Sequence, residues 1–208
     1  MYNIKIIDNF LDKKDLSLLL NVIKKKETKK FKILHNTIDS ENKIMTSTIN
    51  KKLIFRLQKK YYLKAMKILK VLSPQKYKLY DFSDFTIVIT NKNQKFPIHD
   101  DTPDKILSGV IYLYPKKNSG TLFYSNKKGE KKNEIEWKVN RGVFFSRIEK
   151  KTWHSYEGDG KSDRVALVFN LKTKNIKKVF EIEKKNFILG YLRYRLNPYL
   201  FKFLKATI

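Results

Sequence analysis

Residues Phe85–Asp104 read FTIVITNKNQKFPIHDDTPD, an apolar strand-like run, a polar turn and a second strand-like piece that ends in His99 and Asp101. Side chains two apart on a strand point to the same face, so an imidazole and a carboxylate stand side by side there. Two His and one carboxylate are the face that holds non-haem Fe(II) and leaves the opposite coordination positions open. The chain has three His, and the one downstream of this pair is His154, in TWHSYEGDGKSDR (152–164). Ten residues further on, Arg164 opens another strand-like run, RVALVFNL (164–171). Asp100 adjoins Asp101 and is expected on the opposite face, as a turn residue or a support, although a shift of one residue would exchange the two roles.

The order HxD, then His, then Arg ten residues later, each on a strand-like segment, resembles the Fe(II)/2-oxoglutarate-dependent oxygenases, and within them the prolyl-4-hydroxylase-like branch. The resemblance spans roughly Asp84 to Leu171, with a weaker echo in the opening "strand, NFL, short helix". It implies a double-stranded β-helix (jelly-roll) core, Fe(II) held by His99, Asp101 and His154, 2-oxoglutarate and O2 as cosubstrates, with ascorbate as an admissible reductant, and hydroxylation of a C–H bond with release of succinate and CO2. Arg164 would bind the distal carboxylate of 2-oxoglutarate, since a guanidinium matches a carboxylate with two parallel hydrogen bonds. Tyr112, in GVIYLYP (109–115), falls where related enzymes carry a Tyr on the same carboxylate, and an ordinary core aromatic is the alternative. Leu122, in SGTLFY (119–124), resembles the Leu that packs over the cosubstrate, with core packing equally open. Phe145 and Val165 are candidate wall residues on packing alone. Trp153 and Tyr156 flank His154 and would shield the metal or line the substrate mouth. Asp104 and Lys105 read as a solvated loop that could meet substrate.

Length and composition agree with an enzyme of this size. The chain has 208 residues, 41% hydrophobic and 13% aromatic, which suits one folded domain rather than a disordered chain. It has no Cys, so disulfides, thiolate metal sites and Cys nucleophiles are excluded. No leader segment or membrane-length apolar run is visible, and the reading is a cytoplasmic protein. The net charge is +26. Such a charge can serve nucleic acid or an anionic surface. Yet only six of the 46 basic residues are Arg, and the Lys are spread along the chain, a pattern of solvated faces in a biased composition.

Around the core, the expectation is an α+β chain forming a single oxygenase domain over 1–208: helical support over 10–72, jelly roll over 77–171 and C-terminal helices over 175–208. YNIKII (2–7) reads as a strand, and Asp12 as the cap of the helix in DLSLLLNVIKKK. KKKETKK (24–30) reads as an exposed helix end or loop. Residues 31–50 mix strand fragments and loop, with His35 as a surface or packed residue. Residues 51–72 carry Leu53, Leu57, Tyr61, Ala65, Ile68 and Leu72 at helical steps, ended by Ser73-Pro74. The tail after Leu171 reads as two short helices broken near Gly190 and Pro198, packed on the core or a partner subunit, or lying on a membrane surface.

The partner is then a small-molecule or peptide substrate: a prolyl residue, an amino acid or a metabolite. A nucleic-acid demethylase of the same superfamily is the second reading. Those enzymes usually carry a further Arg six residues after the first, where this chain has Asn170. A non-enzymatic jelly-roll binding module is the third, and it has no need of metal ligands with an Arg anchor at these spacings.

Overall fold

Residues 3–24 and 32–204 are described by a computed structural model of the chain. The run 24–30 and the last four residues fall outside this range except for the backbone of Lys24, so the expectation for KKKETKK lies outside the described residues. The chain opens with strand β1 (Ile4–Ile7) and helix α1 (Lys13–Lys24). Asp12 caps α1 as expected, its Oδ1 accepting the Asp15 amide at 2.8 Å. The mixed stretch that follows holds three short strands, β2 (Lys32–Leu34), β3 (Thr37–Asp39) and β4 (Ile44–Thr46). Helix α2 (Lys51–Leu72) has the predicted bounds, with Asn50 Oδ1 accepting the Lys52 amide at its start. Its apolar stripe buries Leu53, Leu57, Tyr61, Ala65 and Ile68. A 3-10 turn over Pro74–Leu79 then leads into the strands.

Eight strands form the jelly roll: β5 (Phe82–Thr90), β6 (Lys95–His99), β7 (Lys105–Tyr114), β8 (Thr121–Tyr124), β9 (Asn133–Ile135), β10 (Gly142–Phe145), β11 (Trp153–Glu157) and β12 (Arg164–Lys172). The larger sheet runs β1-β10-β7-β12-β5-β3-β4, with β2 also on β5, and the smaller runs β6-β11-β8-β9. Among the described residues the strand pairings of both sheets are antiparallel. The expected strand in IEWKV shortens to its first residue, because the chain turns away after Ile135 and Trp137 Nε1 donates to the Pro115 carbonyl at 2.8 Å.

Period-two alternation divides the larger sheet into two faces. Phe85, Ile87, Ile89, Ile111, Leu113, Phe144, Val165, Leu167, Phe169 and Leu171 pack against α1 and α2 in the main core. The residues between them turn toward the smaller sheet. On β7, β10 and β12 these are Ser108, Val110, Tyr112, Val143, Phe145, Arg164, Ala166, Val168 and Asn170, and on β5 they are Asp84, Thr86, Val88 and Thr90. Polar residues at every second place on otherwise apolar strands mark the inside of a site rather than of a core.

The C-terminus is helical as expected, in α3 (Ile176–Ile182) and α4 (Phe187–Leu204). The expected breaks at Gly190 and Pro198 are absent, and α4 runs through both. Gly190 is the point of contact with α3: a Cβ there would lie 2.2 Å from Phe180 Cε1, so only glycine lets the two helices come this close. No described helix is long and apolar enough to cross a membrane.

Candidate metal centre and anion pocket

β6 and β11 pair antiparallel with His154 directly opposite His99. The two imidazoles therefore stand on one face, ring centroids 4.3 Å apart. Asp101 lies just past the end of β6, and three contacts fix it. Its Oδ2 accepts Ser108 Oγ from β7 at 2.5 Å, its Oδ1 accepts Lys105 Nζ at 2.5 Å, and its backbone carbonyl accepts Arg147 Nε at 2.9 Å. His154 Nε2 is 3.9 Å from Asp101 Oδ2. One ligand atom from each of His99, Asp101 and His154 lies within 4.8 Å of the others.

The protonation states follow from the neighbours. Nδ1 of His99 is 2.9 Å from the Pro97 carbonyl, and Nδ1 of His154 is 2.9 Å from the Thr152 carbonyl. A carbonyl only accepts, so each Nδ1 carries the hydrogen and Nε2 is the nitrogen left to face an ion. Burial, reinforced by the His154 ring, pushes the His99 pKa down to about 3. Burial alone would raise the Asp101 carboxyl, but the Lys105 ammonium and the two imidazoles hold it well below the usual carboxylate range. Two imidazoles and one carboxylate, with His99 and Asp101 both held in the form that binds metal, fit a divalent ion with three protein ligands and open positions. Between about pH 6.5 and about pH 3 the unfolded chain binds a proton on His99 that the folded chain refuses, so the metal-free fold loses stability as pH falls through that window. Urea midpoints measured at about pH 7 and about pH 5 check this, the lower pH giving the lower midpoint.

A second set of groups lies around Tyr156, two residues along β11 and past an irregularity in its pairing with β6. Arg164, 5% exposed, opens β12 opposite Thr90 of β5. Its guanidinium is enclosed by aromatic faces, with Cζ 4.4 Å from the Tyr156 ring centroid, 5.3 Å from Trp137 and 5.6 Å from Tyr112. It pairs with no carboxylate among the described residues, and its Nε has no hydrogen-bond acceptor. Thr90 Oγ1 and Tyr156 Oη are likewise buried without a well-formed hydrogen bond. Burial pulls the Arg164 pKa down, as for a charge that lacks its counter-ion. The two hydroxyls face each other, while the buried cation beside them lacks an anionic acceptor, and a ligand carboxylate meets that need. Phe96 connects the two sets, edge-on to His99 at 4.8 Å and stacked on Tyr156 at 5.7 Å.

The structure brings Tyr112 to this pocket through its ring. Its hydroxyl proton is committed to Thr121 Oγ1 at 2.8 Å, and the oxygen accepts the Thr121 amide at 3.0 Å. Leu122 is placed elsewhere. It lies on the outer face of β8 with Tyr124, Trp153 and Ile98, because His154 pairs with Phe123 and the side-chain alternation turns Leu122 away. Phe123 takes the inward position, 5.9 Å from His154, and Phe145 lies edge-on to His154 at 4.8 Å. Val165 faces the helical core and is no wall residue. Trp153 and Tyr156 part company, Trp153 outward and Tyr156 inward.

Lys105 and Asp104 are not a solvated loop: Lys105 begins β7 and supports Asp101, and Asp104 pairs with Lys172 at 2.7 Å. Exposed His35 touches Thr86 at 3.1 Å. Thr90 was missed in the sequence, although the alternation Asp84, Thr86, Thr90 on an apolar strand signals it. Arg147 carried no such signal, since its partners come from distant segments.

Those partners tie the C-terminal helices to the loop of Asp100 and Asp101. Arg147 Nη1 donates to both Glu183 oxygens at 3.0 and 2.9 Å, buried Lys76 Nζ donates to Glu183 Oε1 at 2.7 Å, and Lys76 also reaches the Arg147 carbonyl. Arg193 of α4 pairs with Asp100 Oδ1 at 2.8 Å and Glu149 Oε1 at 3.0 Å. Asp100 is thus a support, pointing away from the imidazoles. A cavity of about 200 Å3 lies between α4 and this loop, bordered by Phe96, His99, Asp101, Pro103 and Tyr194. Glu183→Ala leaves two buried cations without their carboxylate. It is expected to lower unfolding free energy by about 3–5 kcal/mol, read by urea denaturation.

No protein-family model matches the chain, and no curated protein matches it in sequence. Solved structures do match in fold. A 2OG-Fe(II) oxygenase family oxidoreductase from Burkholderia pseudomallei shares 12% identity at TM-score 0.58, over 81% of this chain and 84% of that one. The viral collagen prolyl hydroxylase of Paramecium bursaria Chlorella virus-1, solved as a 2OG complex, shares 16% identity at TM-score 0.53, over 82% and 96%. A prolyl hydroxylase from Trichoplax adhaerens, in complex with a peptide fragment of hypoxia inducible factor, shares 13% identity at TM-score 0.57, over 85% and 86%. The chain has the double-stranded β-helix fold of the 2OG-Fe(II) oxygenases, in the form that the prolyl hydroxylases carry.

Proposed function

We propose that this chain is an Fe(II)- and 2-oxoglutarate-dependent hydroxylase acting on a prolyl peptide, an amino acid or a small metabolite. One observation carries the reading: a His-Asp-His face and a buried guanidinium without a counter-ion are joined by Tyr156, two residues past His154 on β11 and 4.4 Å from Arg164 Cζ at its ring centroid. That arrangement suits a five-carbon keto-diacid with one end at the metal and the other at the cation. His99, Asp101 and His154 hold the iron through Nε2, a carboxylate oxygen and Nε2. When bound there, Fe(II) with 2-oxoglutarate and O2 supplies oxidative decarboxylation to succinate and CO2 coupled to hydroxylation of a C–H bond.

The protein's residues prepare that chemistry. Ser108 and Lys105 fix the rotation of the Asp101 carboxylate, and the Pro97 and Thr152 carbonyls fix the imidazole tautomers. Arg164 takes the distal carboxylate in its planar fork, with the Thr90 and Tyr156 hydroxyls as further donors. Tyr112 and Trp137 back the guanidinium, and Phe123 and Phe145 keep water from the metal face. The apolar cavity beside His99 and Asp101 is the approach for the primary substrate.

The demethylase reading is weaker because Asn170, at the position of the second Arg, spends its amide on Asp84 Oδ2 at 3.3 Å. Anaerobic addition of Fe(II) and 2-oxoglutarate tests the assignment: a weak visible metal-to-ligand charge-transfer band is expected, and its absence at saturating iron overturns the reading. Succinate release against peptide, amino-acid, metabolite and methylated-DNA panels then identifies the substrate class, and stimulation by methylated DNA alone reverses the order of the two readings.

A further inference from the structure

α4 has two unlike sides. Gly190, Arg193, Tyr194 and Asn197 face α3 and the loop of Asp100 and Asp101. The opposite side carries Ile188, Leu189, Leu192, Leu196, Tyr199 and Phe203, each between 49% and 71% exposed. At 3.6 residues per turn these six fall on one stripe about 100° wide along the helix. A bare stripe of this size marks a docking surface, because isolated exposed apolar residues do not align. Basic groups border it. Arg195 Cζ lies 5.9 Å from the Tyr191 ring and Lys202 Nζ 5.2 Å from the Phe203 ring. From Lys184 to the last residue the sequence contains no Asp or Glu.

We propose that this face of α4 lies on an anionic lipid surface, with the apolar stripe among the acyl chains and the basic groups at the headgroups. The charge pattern selects this occupant. A helix without carboxylates, in a chain of net charge +26, suits a negative surface. Pairing two copies of the stripe would bring Arg195 and Lys202 toward like charges, with no acid on the helix to answer them. Docking by the outer side leaves Arg193, on the inner side, in place on Asp100 and Glu149, so the loop of Asp100 and Asp101 sits beside the docked helix.

The full-length protein is to be sedimented with phosphatidylcholine vesicles and with mixed phosphatidylcholine–phosphatidylglycerol vesicles, across a salt series. Binding to the anionic vesicles, at least about tenfold tighter than to neutral ones and weakening with salt, is expected. The variant Leu189→Ser/Leu192→Ser/Leu196→Ser, which alters only exposed positions, should lose more than about tenfold in that binding. Its thermal midpoint and its anaerobic charge-transfer band should be unchanged, which keeps this test separate from the hydroxylase assignment. Equal sedimentation of wild type and triple variant overturns the proposal, as does equal binding to neutral and anionic vesicles. A wild-type dimer that the triple variant dissolves, with no vesicle binding, assigns the stripe to self-association instead. Vesicle-free wild type that binds only an acidic polypeptide, such as polyglutamate, assigns it to protein and rejects the lipid.

Discussion

Arg164→Met is expected to make the ligand-free protein more stable and to weaken its binding of 2-oxoglutarate steeply. Arg164 is buried without a carboxylate partner among the described residues, and its Nε lacks any acceptor. Replacing a lone buried charge by an apolar side chain of similar reach removes a desolvation cost. The contacts with Tyr156, Trp137 and Tyr112 offset part of that gain, since each cation–ring contact contributes on the order of 1 kcal/mol. A net gain of about 1–2 kcal/mol remains, which raises the melting midpoint by a few degrees, at about 2–4 °C per kcal/mol for a chain of this size. With ligand the sign reverses. Truncating one partner of a buried charge pair costs about 2–5 kcal/mol, so apparent 2-oxoglutarate affinity falls by about 30- to 4000-fold. Calorimetric titration of Mn(II) should be unaffected. A melting midpoint that falls in the ligand-free variant, with cosubstrate dependence unchanged, would assign Arg164 to structure alone.

His154→Ala should remove divalent-metal binding. Losing a residue that merely orients a ligand already costs about 10- to 100-fold in affinity, so losing one of three ligands should cost well beyond 100-fold. The fold should survive, because the side-chain hydrogen bond of His154 among the described residues goes to its near neighbour, the Thr152 carbonyl, and Phe123 and Phe145 beside it pack against each other at 5.3 Å. Titration of Mn(II) followed by calorimetry reads the affinity, and far-ultraviolet circular dichroism reads the fold. Lys105→Met, which unties Asp101 Oδ1 but keeps all three ligands, should fall between this variant and wild type. Metal affinity equal to wild type in His154→Ala would show that the ion binds elsewhere.

What could be read from the chain and what could not divide along a physical line. His99 and Asp101 drew notice by their spacing of two, although only His99 lies on β6 and Asp101 follows its end, and Arg164 drew notice because an Arg at the head of an apolar strand needs a partner. The eight strands were legible from alternation and punctuation, and α2 from its stripe. Leu122 was misplaced because its face depends on pairing with β11, and a single step of register separates it from Phe123. Asp104 and Lys105 read as loop because hydrophilicity suggested solvent, while Lys105 in fact spends its charge on Asp101. Gly190 and Pro198 read as breaks from their propensities. Tertiary contact with Phe180 turns the first into a requirement. The helix simply passes through the second. The set of Arg147, Glu183 and Lys76 was illegible, since no local pattern joins residues so far apart.

The hold of Arg147 on the Asp101 carbonyl, itself fastened by Glu183, carries a consequence for dissecting the chain. Glu183 lies beyond the last jelly-roll strand, so a fragment cut after Lys172 leaves Arg147 and Lys76 facing each other without their carboxylate. The same cut removes Arg193 from Asp100, so the loop bearing Asp101 loses its fastenings on both sides. The strands by themselves are therefore an incomplete unit, and the excised jelly roll should be cleaved by protease at that loop where the longer chain resists.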